Sequence, residues 1–150
     1  MKKHIYNSLI AFFSGLFGVS VLFVLFYYIF DVAQIKKPFP PTTLGFFLHF
    51  LILNSLLEEG TKFLLIKKHI GQFPYGFLLG FGFGIGETIL KYPFAEFGTV
   101  PIRRSGAILL HIITAGIICY SIKKNKPVLG LLIAIIIHTG FNLIVNWAGE

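Results

Sequence analysis

Acidic residues are what this chain has least of. Only six of its 150 residues are Asp or Glu, against 13 Lys and Arg, and charged residues of both signs make up 13% of the sequence. A soluble domain carries about 25% charge, so a water-exposed surface of ordinary composition is excluded. Cysteine occurs once, at Cys119, which rules out a disulfide framework and a cysteine-based metal cluster. What fills the space instead is apolar: 55% of the residues are hydrophobic, the composition of an integral membrane protein.

Apolar runs close to or above the roughly 18 residues that mark a membrane helix cover 8–30, 43–66, 75–90, 105–121 and 127–147. They predict an all-α integral membrane protein, a polytopic bundle of about five transmembrane helices in a single domain. The third run is the weakest, because Gly76, Gly80, Gly82, Gly84 and Gly86 lower its hydropathy, although glycine is commoner in membrane helices than in soluble ones. The first run follows Lys2 and Lys3 as a signal peptide would. It is too long for a signal core and no small-residue cleavage site follows it, so it reads as a retained helix.

A net charge of +7 raises the question of nucleic acid, yet the basic residues sit in short turns between apolar runs. That pattern sets topology and makes the bilayer, not nucleic acid, the partner. Five helices put Lys2, Lys3, Lys67, Lys68, Lys123, Lys124 and Lys126 on one side and Lys36, Lys37, Lys91, Arg103 and Arg104 on the other. Seven against five favours a multi-pass protein of the cell membrane with a cytoplasmic N-terminus.

Of the six acids, Glu58, Glu59 and Glu87 fall inside predicted spans. The second run holds 14 Leu, Ile and Phe residues, worth roughly 4 to 8 kcal/mol toward insertion, whereas each central charge costs about 2.5 to 3.5. Glu58, Glu59 and Lys62 together cancel the gain, so this helix inserts with these groups turned to partners or a wet cavity. On a helical wheel Asn54, Ser55, Glu58, Glu59 and Lys62 share an arc of about 140°. Glu58 and Lys62 form an i, i+4 pair in the favourable order, and a packing salt bridge accounts for one glutamate but not for both. His49 falls on the opposite face of the wheel and reads as a packing or interfacial residue.

Gly76, Gly80 and Gly84 form a small-xxx-small ridge for close helix approach, and Ser14 and Gly18 do the same on the first run. Glu87 stands one turn past Gly84, at a seam where packing alone requires no carboxylate. The fourth run carries His111 with Thr114 and Gly116 nearby. The fifth carries His138 and Asn142 on one face, with Asn146 a turn further. Polar pairs of this kind serve as hydrogen-bonding glue worth about 0.6 kcal/mol per contact, but four helices each contributing such groups point beyond glue.

The inward-capable set is therefore Glu58, Glu59, Lys62, Glu87, His111, His138 and Asn142. It contains no serine–histidine–acid arrangement, no H-E-x-x-H helix and no intramembrane aspartate pair. A carboxylate beside histidines can deprotonate a water, a step worth about 10² to 10⁴ in rate. A histidine and an asparagine four apart can donate to one oxyanion, each worth roughly 10² to 10³. Glutamate with two histidines equally makes a zinc site with an open position for water.

Glu58-Glu59-x-x-Lys62, then Gly82-Phe83-Gly84-Ile85-Gly86-Glu87, then His111, then His138-x-x-x-Asn142 resemble the ordered motifs of the PrsW family of membrane proteases. These are distant relatives of the CAAX prenyl endopeptidases and the wider CPBP (Abi) family. The resemblance implies an intramembrane endopeptidase acting on a membrane-anchored protein or peptide. Glu58 would activate water with help from His111, His138 and Asn142 would form the oxyanion hole, Glu59 and Glu87 would orient groups, and Lys62 would tune charge. No cofactor is required on this reading, with zinc as the open alternative. Lys62 departs from the CAAX pattern, which has arginine one residue later, and favours the PrsW branch.

Two further readings stay open at the level of sequence: a proton or ion relay built on the same buried groups, and an inactive, immunity-type relative. Depth is a constraint on all three. A helix entering at Thr43 carries Glu58 about 22 Å along its axis, whereas Glu87, His111 and Asn142 fall toward the outer ends of theirs. Tilt, an unwound glycine segment or different bounds for the third run would bring them level. Family members usually have more than five helices, so the chain reads as a pared-down core, a truncated relative or a subunit that completes its cavity as a homo-oligomer.

Overall fold

The computed structural model of the protein describes residues 2–32, 44, 54–68, 73–91 and 101–147. Among the described residues five helices follow one another: α1 (Lys2–Val32), α2 (Leu57–Lys67), α3 (Phe73–Lys91), α4 (Pro101–Lys123) and α5 (Pro127–Trp147). No strand occurs among the described residues. Pro101 and Pro127 open their helices at the position where a missing N–H costs nothing and the fixed φ helps.

Four helices contain the predicted runs, extended by up to six residues at either end. The second differs. Its described helix has 11 residues, about 16 Å, and is preceded by a single π turn over 54–56. Apart from Leu44, the earlier part of that run, with His49, lies outside the described residues.

Polarity is inverted relative to a soluble protein. Lys62, His111, His138, Glu59, Thr114 and Ser55 are among the largest fully buried side chains, while Val24, Ile136, Ile144 and Phe17 are each about two-thirds exposed. Water would not tolerate that apolar exterior, and a bilayer requires it. The segments Ile5–Leu25, Ser105–Lys123 and Pro127–Val145 are long and apolar enough to cross a membrane. The chain is an all-α helical membrane protein.

Glycines on α3 set the packing. A Cβ on Gly80 would collide with the His111 carbonyl, and one on Gly84 would lie 2.7 Å from the Ile108 Cα, so the 76/80/84 ridge is the seam with α4. A second set has the same effect toward α1, where a Cβ on Gly82 would strike the Phe12 carbonyl and one on Gly15 the Leu79 carbonyl. α3 is thus the central slab, with α1 and α4 pressed on its two sides. α5 lies against α4, and the short α2 touches all four other helices.

These contacts make α1, α3 and α5 run one way and α2 and α4 the other. The apolar core of Ala11, Ile66, Tyr75, Leu79, Ala115, Ile118, Cys119 and Ala134 fills one half of the bundle. Lys67, Lys123, Lys124 and Lys126 lie at that end. The turn from α4 to α5 is held by two reversed hydrogen bonds, Lys126 N–H to Ser121 O at 2.9 Å and Asn125 N–H to Ile122 O at 3.1 Å. This Schellman closure needs a left-handed residue, supplied by Asn125 at φ 58°.

Candidate functional site

The other half of the bundle is polar inside. The first turn of α2 brings Glu58 and Glu59 into it side by side, 4% and 0% exposed, and Lys62, 0% exposed, follows one turn later. Glu87 comes from the last turns of α3, His111 from the middle of α4 and His138 from α5. Measured from the lysine end, Glu58, His138, His111 and Glu87 lie about 14, 16, 18 and 21 Å along their helices. On this scale the four lie within about 7 Å of one another.

Lys62 Nζ donates to Glu59 Oε1 at 2.6 Å and to Thr114 Oγ1 at 2.9 Å, and it rests 5.0 Å over the ring of Phe83. The helical wheel predicts Glu58, at i+4, as its partner; the one found is Glu59, at i+3. The long lysine stem can serve either spacing, and Thr114 on the neighbouring helix draws the ammonium to the Glu59 side. Thr114 Oγ1 also donates to Glu59 Oε1 at 3.2 Å. A buried ammonium is stable only when paired and hydrogen-bonded in this manner.

The same oxygen of Glu59 accepts a third bond, from His138 Nδ1 at 2.6 Å. A proton on Nδ1 fixes the ring's orientation and turns Nε2 inward, where it lies 3.8 Å from Glu58 Oε2. His111 approaches from the other side. Its Nε2 is 3.9 Å from Glu58 Oε2 and hydrogen-bonds Glu87 Oε2. The two imidazoles meet edge to face, centroids 5.2 Å apart at 84°, and Phe83 closes one flank 5.1 Å from His111.

The arrangement has two layers. Glu59, Lys62 and Thr114 form a compensated ion-pair network, and Glu58 with the two histidines forms a triangle against it, backed by Glu87. One donor atom from each of Glu58, His111 and His138 lies within 4.8 Å of the other two. With Nδ1 protonated, a neutral His138 presents an acceptor nitrogen to the Glu58 carboxylate. Two facing acceptors are stabilised by a shared proton, a water or a cation between them.

The donor set is of the kind that suits a zinc ion, and Glu59 behind His138 is the carboxylate–histidine support that metal sites use. Asn142, half-buried, stands one helical turn past His138 on α5. Six of the seven residues singled out in the sequence therefore meet in one cluster, with Asn142 a turn away. Thr114 and Phe83 join it as well, although the sequence assigns neither to it. Thr114 carries a signal, three residues after His111 on the same face; Phe83 carries none, since a phenylalanine among 18 bears no mark of its role.

Fold and cluster together define the class: a helical membrane protein with carboxylates and histidines gathered inside its bundle. No family model, characterised protein or solved structure matches the chain.

Proposed function

We propose that this chain is an intramembrane protease of the PrsW type, hydrolysing a peptide bond of a membrane-anchored protein or peptide. The observation that carries the reading is the placing of Glu58 Oε2 at 3.9 and 3.8 Å from the Nε2 atoms of His111 and His138. Glu58 takes a proton from a water in this triangle, and the water oxygen adds to the scissile carbonyl carbon. The proton then passes from Glu58 to the leaving amine as the C–N bond breaks. Glu59 holds His138 so that Nε2 faces the reacting atoms, and Nε2, when it carries a proton, donates with the Asn142 amide to the developing oxyanion. Glu87 orients His111.

The depths support the same reading. A cluster about 14 to 21 Å from the lysine end sits near the middle of a hydrocarbon core roughly 30 Å thick, where a membrane-anchored segment is the natural substrate. The lysine-rich end is the cytoplasmic one on this proposal, with the N-terminus on that side of the cell membrane.

Glu58, His111 and His138 also support a metal-dependent variant. They would hold zinc, which supplies Lewis-acid polarisation of the carbonyl and a more acidic water when bound. Cleavage of a membrane-anchored peptide in liposomes, with Glu58→Gln beside the parent chain, tests the proposal: loss of cleavage with the helix content unchanged supports it, and undiminished cleavage overturns it. Cleavage that persists in protein stripped of metal and verified metal-free excludes the zinc variant.

A further inference from the structure

We infer that the groove between α4 and α5 at the lysine end binds one molecule of anionic phospholipid. The groove has a volume of about 630 Å³ and is lined by Ile113, Ile117 and Tyr120 of α4, Leu129 and Ile133 of α5, and Phe77 of α3. It shares no lining residue with the Glu58 cluster. Its walls are open to the lipid: Tyr120, Leu129, Ile113 and Ile133 all belong to the exposed apolar surface.

Length, chemistry and charge each match the occupant. From Ile113 to Lys124 the α4 wall rises about 16 Å, close to the half-thickness of a hydrocarbon core of roughly 30 Å, which is the reach of an acyl chain in one leaflet. At the end where such a chain meets its headgroup, Lys124 and Lys126 line the groove's mouth. Lys124 Nζ is held 5.7 Å over the Tyr120 ring, which keeps the ammonium at the groove. The Schellman turn fixes Lys126 opposite it through the Lys126 N–H to Ser121 O bond. Among the described residues no carboxylate lines the groove. The positive charge at the mouth is complementary to a phosphate ester, and the apolar slot behind it to the chain attached to that phosphate. Basic pockets between membrane helices recognise headgroups on these terms.

Native mass spectrometry of the full chain, released from mixed phosphatidylglycerol–phosphatidylcholine nanodiscs, provides the test. The expected result is one retained phosphatidylglycerol per chain in preference to phosphatidylcholine. Lys124→Gln with Lys126→Gln should weaken retention about 25-fold, roughly fivefold for each lysine. Ile133→Trp, which fills the groove and leaves the charge untouched, should also abolish it. Lys67→Gln, at the same end but outside the groove, should leave it intact, and glycerol phosphate should not displace the lipid. Equal retention of the two lipids overturns the inference. So does a loss with Lys67→Gln as large as with the groove lysines, retention unchanged by Ile133→Trp in a folded variant, or displacement by glycerol phosphate, which would mark a phosphate site with no chain in the groove.

Discussion

Glu59 and His138 stand 79 positions apart in the chain and meet at 2.6 Å, carboxylate oxygen to Nδ1. The bond decides which way the imidazole points. Nδ1 is committed to Glu59, so Nε2 must face Glu58, and the carboxylate beside Glu59 in the sequence acquires a histidine oriented by its neighbour. Lys62 compensates Glu59 at the same time, which leaves Glu58 as the carboxylate of the pair that faces the histidines.

The first prediction follows from that division. Glu58→Gln should reduce cleavage at least about 10²-fold, the usual value of a positioned general base, with unfolding in detergent changed little because Lys62 remains paired with Glu59. Glu59→Gln should lower cleavage and stability together, since it disturbs both Lys62 and His138. Parallel rate and melting measurements on the two variants distinguish these outcomes; identical behaviour would contradict the assignment.

Lys62 is 0% exposed and salt-bridged to Glu59. Lys62→Met leaves a buried carboxylate without its cation and should destabilise the fold by about 3–5 kcal/mol. Adding Glu59→Leu removes the stranded charge and should recover at least half of that loss, though not cleavage, because His138 loses its support. Reversible unfolding titrations of the single and double variants give the numbers.

Glycine substitutions separate seam from surface. Gly80→Leu drives a side chain into the His111 carbonyl and Ala115 and should cost at least the roughly 1–3 kcal/mol typical of overpacking, moving His111 relative to Glu87 as it does so. Gly60, within α2, has open space around it: a Cβ there would meet nothing within 4 Å. Gly60→Ala should therefore stabilise the helix by up to about 1 kcal/mol. Thermal melts in one detergent test both.

At the α4–α5 turn, Asn125 adopts φ 58°. Asn125→Gly should be neutral or slightly stabilising, whereas Asn125→Val should cost about 1–2 kcal/mol, the penalty of a branched side chain in the left-handed region. The same melts provide the check.

Some of this architecture is legible in the order of residues, and some is not, for identifiable reasons. The 76/80/84 ridge is readable because a four-residue repeat of glycine has one structural consequence in a helix. The companion contact of Gly82 with α1 is not, since it depends on which helix arrives at the second face. The polar arc on the second run is readable from helical periodicity, but the wheel supplies Glu58 as the partner of Lys62. An angle about an axis cannot say that Thr114, 52 residues away, draws the ammonium toward Glu59. The π turn over 54–56 is hidden as well, because hydropathy carries no sign of a change in helical pitch.

By itself the sequence determined the class of environment and the inventory. Its apolar runs demand lipid, and its few intramembrane acids and histidines must face inward because a bilayer offers them no other solvent. Only the tertiary structure decided how that inventory is shared: Glu59 to Lys62, Thr114 and His138, Glu87 to His111, and Glu58 to the two histidine nitrogens. Apart from Glu59 with Lys62, these pairings join side chains at least 24 positions apart, and such distances are set by helix packing, which local periodicity does not encode.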